Sequence, residues 1–160
     1  MMNYILKDIP VRTLKPRENG LTMVMDKGLS IREVENFLEV AGPYTDIVKL
    51  GWATSYVTPN LQDKLKVYQE AGIPTYFGGT LFEAFVMRNQ FDDYRRVLDK
   101  YGMKYAEVSD GSITIPHEQK CEYIRQLKEQ VTVISEVGSK DAEKILAPYK
   151  WIALMKAEIE

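Results

Sequence analysis

Asp26, Lys27, Lys49, Glu107, Ser109, Glu136 and Lys140 all sit at or just beyond the ends of short apolar runs. In parallel α/β folds the carboxyl ends of strands are where ligands bind, so charged side chains placed there are candidates for chemistry. Ionised groups are seldom buried without partners. Carboxylates and a lysine converging in one mouth therefore point to a metal ion or an anionic ligand. Gly78-Gly79-Thr80 leaves a third apolar run. It reads either as a tight turn or as a glycine loop whose backbone N–H groups bind an anion, and it lacks the lysine of a P-loop and the spacing of a dinucleotide fingerprint.

The elements that must position these residues follow a repeated plan. Thr22 to Met25 reads as the first strand, and Ser30 with Glu33 three residues on forms a capping-box spacing. Ile31, Val34, Phe37, Leu38 and Ala41 then follow helical spacing up to the Gly42-Pro43 stop. Ile47 to Leu50 is the second strand, and a helix opening at Thr58-Pro59, with Pro59 at its first position, carries Leu61, Leu65 and Tyr68 to Gly72. Thr75 to Phe77 is the third strand, with one helix from about Phe82 to Tyr101 after it. Tyr105 to Val108 is the fourth, leaving through Ser109-Asp110-Gly111-Ser112, a turn by composition, and a helix from Pro116 to about Gln130 follows. Val131 to Ser135 is the fifth strand, and a last helix pattern fills Ala142 to the terminus. Strands thus start about 25 to 30 residues apart, each followed by a helix, the spacing of consecutive βαβ units. Five units in a row without a reversal predict a (β/α)8 barrel-type α/β fold, although a closed barrel needs at least roughly 200 residues.

Alternation along the strands divides the candidates. With Met23, Met25, Val48, Leu50, Ala106, Val108, Val133, Ser135 and Val137 facing the helices, Asp26, Lys49, Glu107, Ser109 and Glu136 face inward. His117 reads as a surface residue in the first turn of its helix, and Trp52 and Tyr56 lie in a strand-exit loop where they could line a pocket. Met1 to Gly20 shows no sustained periodicity and is locally basic at Arg12, Lys15 and Arg17. Two readings stay open for it: a solvated lead-in arm, or a basic flap over an anionic ligand.

With 160 residues, 45% of them hydrophobic, the chain has one domain's worth of core. Its net charge of -2 gives no global basic surface and so no basis for a nucleic-acid partner. Cys121 is the single cysteine and cannot form an internal disulfide. No apolar run approaches the roughly 18 residues of a membrane span, and the N-terminus has acids and prolines where a signal peptide has an apolar core. These features predict a reduced, cytoplasmic, soluble protein.

LTMVMDKGLS, DIVKLGWATS, GIPTYFGGTLFE, YAEVSDGS and VISEVGSKD occur in this order from about Gly20 to Asp141. Together they resemble the phosphosulfolactate synthase family. The resemblance implies a (β/α)8 barrel that adds sulfite to phosphoenolpyruvate with the help of magnesium. It also implies a place in coenzyme M or sulfolactate formation. On this reading Asp26, Glu107 and Glu136 are magnesium ligands, directly or through water. Lys49 and Lys27 neutralise substrate carboxylate or incoming sulfite, and Gly78, Gly79, Thr80 and Ser109 bind substrate. By its place in SEVGSK, Lys140 resembles the family's general acid, with Ser139 standing where relatives often carry a second lysine. Family members are longer, by a C-terminal part that supplies strands six to eight. A five-unit sheet leaves two edges unpaired, so the chain is expected to associate as at least a dimer. Two rivals remain: another magnesium-dependent barrel enzyme acting on a small phosphorylated acid, and an inactive relative with a structural or stress role.

Overall fold

Five runs with strand alternation form one parallel sheet. The strands are β1 (Met23–Asp26), β2 (Ile47–Leu50), β3 (Thr75–Phe77), β4 (Tyr105–Ser109) and β5 (Thr132–Glu136), in that order across the sheet. The computed structural model describes residues 5–143 and 145–160. Helices follow each strand: α1 (Ile31–Ala41), α2 (Thr54–Val57), α3 (Leu61–Glu70), α4 (Gly79–Val86), α5 (Phe91–Lys100), α6 (His117–Leu127) and α7 (Pro148–Ile159). Consecutive, all-parallel pairing with helices between strands is the plan of a (β/α)8 barrel, here present as five strands that do not close.

Local chemistry explains most element ends. Ser30 caps α1, receiving the Glu33 N–H at 3.3 Å while its own N–H donates to the Glu33 carboxylate at 2.7 Å. Other ends differ from the sequence expectation. Pro59 precedes the N-cap of α3, which is Asn60 in a left-handed conformation. The single helix expected from Phe82 to Tyr101 is two, because Asn89 turns left-handed (φ 56°) and the Gln90 N–H closes back on the Phe85 carbonyl at 3.0 Å. That corner swings Phe91 onto Phe82 and Tyr123, with ring centroids 6.4 and 4.5 Å apart. The last helix starts at Pro148 rather than Ala142, with proline in its first turn; Lys144 lies outside the described residues.

The arm is tied down at the amino ends of the strands. Arg17 pairs with Asp46 at 2.6 Å, Arg12 donates to the Thr22 hydroxyl at 2.6 Å, and Lys15 reaches the Gly42 carbonyl at 2.8 Å. Its basic side chains are thus engaged at the opposite end of the sheet from the strand exits, and the reading as a flap over a ligand there is corrected. Residues 1–4 of the arm lie outside the described residues.

The core sits between the sheet and the helices. Leu50, Phe77, Ala106 and Val108 pack against Phe82, Leu98 and Leu127, while Val48 packs against Val34, Tyr68 and Ile73. Alternation holds as expected on β2, β4 and β5. It slips by one on β1, where Met23 and Met25 lie in register with Ile47 and Lys49, and Asp26 with Leu50. Asp26 therefore faces the helices, not the barrel interior. There its carboxylate meets Lys64 at 2.7 Å, with both side chains 1% exposed, and accepts from the Tyr68 hydroxyl at 3.0 Å and the Gly28 and Leu29 N–H groups at 2.8 Å. Burial alone would raise this carboxyl, but Lys64 and the two N–H donors outweigh it and hold it below the ordinary value.

Removing one partner of such a pair leaves a buried, unpaired charge, so Lys64→Met is expected to cost about 3–5 kcal/mol. Urea unfolding of Lys64→Met beside the double variant with Asp26→Asn checks this. The double variant should recover much of the loss.

Candidate active site

The inner face of the sheet brings Lys49, Tyr76, Glu107 and Glu136 together at the exit end. Met25, Lys49 and Tyr76 lie side by side across β1, β2 and β3, and Ser109 and Glu136 side by side across β4 and β5. Lys49 extends across β3 to reach the Glu107 carboxylate at 2.6 Å, and the first N–H of α4, from Gly79, donates to the same oxygen at 2.9 Å. The fully buried Tyr76 lies within hydrogen-bonding reach of Glu107; burial first, and then the Glu107 charge, push its phenol upward.

The two glycines after β3 are there for space. A Cβ on Gly78 would come within 2.8 Å of the Lys49 Cε, and one on Gly79 within 2.5 Å of the Ser109 Oγ and 2.9 Å of Glu107. Their N–H groups already donate to the Leu50 carbonyl at 3.0 Å and to Glu107. Neither glycine N–H is therefore left for a ligand. Thr80, in the first turn of α4, is half-buried.

Ser109 also differs from expectation. It is fully buried beneath α4 and donates to Glu83 rather than facing an open mouth. Glu136 lies within hydrogen-bonding reach of Glu107, and its carboxyl is raised, first by burial and then by that neighbour, with Lys140 and Lys49 opposing. Lys140 is exposed beside this pair, its stem lying along Gly111 and its N–H donating to the Gly111 carbonyl at 2.8 Å.

Two expected members stand apart. Asp26 is on the helix face, and its carboxylate oxygens are taken by Lys64, Tyr68 and two N–H donors. Lys27 lies over the Trp52 ring, 4.9 Å from its centroid, on the rim. Trp52 is 67% exposed, and it and Ala53 both adopt left-handed backbone (φ 55°) at the β2 exit. Tyr76 and Glu83 were missed by sequence reasoning. A tyrosine two residues before the glycine pair is inward by the same alternation that selects Lys49, and a glutamate one turn after Gly79 shares its helix face.

Comparison with known proteins decides what this arrangement belongs to. The family profile described as (2R)-phospho-3-sulfolactate synthase (ComA) matches residues 10–160. The chain belongs to the phosphosulfolactate synthase family. Proteins named phosphosulfolactate synthase from Bacillus subtilis, Methanothermobacter thermautotrophicus and Methanocaldococcus jannaschii are similar to it. They are 38% identical over 142 residues, 34% over 155 and 40% over 130, covering 89%, 94% and 79% of this chain. Those alignments cover 56%, 60% and 52% of the relatives, so the chain spans little more than half the length of the synthases it matches.

The phosphosulfolactate synthase resemblance raises the question of magnesium. Among the described residues no group of three or more His, Cys, Asp or Glu converges. Glu107 and Glu136 do converge, and the Glu136 carboxyl is raised first by burial and then by its Glu107 neighbour. Two carboxylates, with water and substrate oxygens completing the shell, suit magnesium.

Because folded Glu136 holds its proton more tightly than the unfolded chain does, the native state loses stability as pH rises past the ordinary glutamate value. Glu136→Gln removes that loss. Its thermal midpoint should gain a few degrees on the wild type as pH rises past the ordinary glutamate value of about 4.3, whereas a difference independent of pH would count against a raised Glu136 carboxyl.

Proposed function

We propose that this protein acts as a phosphosulfolactate synthase, joining sulfite to phosphoenolpyruvate. The observation that carries the reading is the Lys49–Glu107–Glu136 cluster, with Lys140 beside it, at the strand exits of a chain in this family. The sulfite sulfur lone pair forms a bond to C3 of phosphoenolpyruvate, and the C2–C3 π electrons move toward the carboxylate. A proton delivered to C2 completes the addition.

This chain's residues would divide that work. Lys49, fixed by Glu107, presents positive charge to the substrate carboxylate, and Lys27 on the rim draws in the second anion. Thr80 offers a hydroxyl in the first turn of α4, and Ser109 acts from beneath by holding that turn in place. Lys140 carries the proton destined for C2, its charge balanced by Glu136. Glu107 and Glu136 would hold the magnesium ion, which when bound supplies positive charge to the oxygens that gain electron density. Asp26 has no part in that set, because its oxygens are engaged by Lys64 and Tyr68. A reducing, cytoplasmic setting suits the free, buried thiol of Cys121.

The test is formation of phosphosulfolactate from phosphoenolpyruvate, sulfite and magnesium by the purified chain, beside Lys140→Ala. Loss of a general acid should lower turnover by about 10²–10⁴-fold. Absence of product from folded wild type would move the reading to an inactive relative, and turnover of a phosphorylated acid without sulfite to a different barrel enzyme.

Among the described residues β1 and β5 each leave one edge without a strand partner. Open edges with exposed backbone groups associate, and we propose that a second copy covers them. Light scattering at micromolar concentration should give at least a dimer; a clean monomer would overturn this.

A further inference from the structure

Glu83 is the buried carboxylate that the proposed chemistry leaves without a task. It lies on α4, is 2% exposed, and has no lysine or arginine paired with it among the described residues. One of its oxygens receives the Ser109 hydroxyl at 2.5 Å and the Ser112 N–H at 3.2 Å, and the other is buried without a hydrogen-bond donor. A buried carboxylate held only by neutral donors is costly. Such a cost at one turn points to a positional role there.

The turn it holds is 109–112, and its four residues are gripped from three places. Ser109 and Ser112 donate to Glu83 on α4. Asp110 pairs with the buried Lys120 on α6 at 2.9 Å. Gly111 offers its carbonyl to the Lys140 N–H at 2.8 Å, and its bare Cα leaves room for the Lys140 stem, which a Cβ would meet at 3.3 Å. Gly79 and Glu83 are one turn apart on α4, so the helix that fixes Glu107 through the Gly79 N–H fixes the seat of Lys140 through Glu83.

We infer that Glu83 is a positioning residue for Lys140, acting through the Ser109–Ser112 turn. The inference rests on the proposed function only for the use made of Lys140; the mechanical link stands on the hydrogen bonds.

Amide hydrogen exchange on the whole chain tests it. In Glu83→Ala the Ser112 and Lys140 amides should exchange about five- to tenfold faster, the loss of roughly one net hydrogen bond. The Gly51 and Gly78 amides, which donate to the Asp26 and Leu50 carbonyls, should stay unchanged. Glu83→Gln keeps an acceptor oxygen and should restore Lys140 to near the wild-type rate. Glu83→Asp, which retains the charge but draws it back by one methylene, serves if the alanine variant fails to fold and should resemble it. Faster exchange at Ser112 alone, with Lys140 unmoved, would overturn the link, as would equal acceleration at all four amides. Turnover separates the two readings. If Lys140→Ala retains full activity, the proton-donor reading falls while the exchange result still decides the positional one.

Discussion

Lys49 and Glu107 form the contact on which the exit end of the sheet depends. Both are largely buried on the inner face of the strands, where an isolated charge is strongly disfavoured. Their attraction offsets the loss of water only because further donors complete the carboxylate: the Gly79 N–H in direct contact and the Tyr76 hydroxyl within reach. Each condition constrains the sequence. The ammonium can pass β3 only if residue 78 has no Cβ, and α4 can set its first N–H on Glu107 only if residue 79 has none. The pair thus dictates the double glycine and, through it, where α4 begins.

The opposite face of the sheet solves a related problem at its two ends. Its middle is apolar and aromatic, with Phe82 meeting Tyr94 and Tyr123 edge-on. Its flanks are fastened by buried ions. At β1, Asp26 takes Lys64 and Tyr68 from α3. At β5, Lys120 of α6 takes Glu158 of α7 at 3.0 Å together with the Glu136 carbonyl at 2.6 Å, and the Ser135 hydroxyl completes Glu158. His117, expected on the surface, is drawn partly into this cluster, 3.6 Å from Glu158. Directional ionic contacts at the flanks specify which helix packs on which strand, whereas aromatic packing in the middle supplies area.

How much of this was legible follows from pattern strength. β2 reads IVKL, and a lysine between apolar neighbours fixes its parity; β4 likewise sets Glu107 between Ala106 and Val108, and β5 ends on Glu136. β1 reads MVMD, apolar on both faces, so nothing within the strand separated its two parities and Asp26 was placed inward. The missing signal lay on another element. Leu61, Lys64, Leu65 and Tyr68 make one buried stripe of α3, and a lysine in such a stripe requires a carboxylate on the strand beneath. The break between α4 and α5 was hidden for a different reason. Helical periodicity survives a sharp corner when both arms pack on the same core, and Asn89 gave the only local sign.

The inner face also changes character along the strands, and this bears on how the site can function. Toward the amino ends it carries Met23 and Ile47, and toward the exits Lys49, Glu107 and Glu136. Apolar residues below and ions above make a floor that water does not stabilise and a rim that it does. At the rim the Glu136 carboxyl is raised, first by burial and then by the neighbouring Glu107. Lys49 pairs with Glu107, and Lys140 lies exposed beside Glu136. Anions approaching from the open end would then meet positive charge arranged across the mouth from β2 to the loop after β5. Such a distribution raises the local concentration of small anions at the exit end.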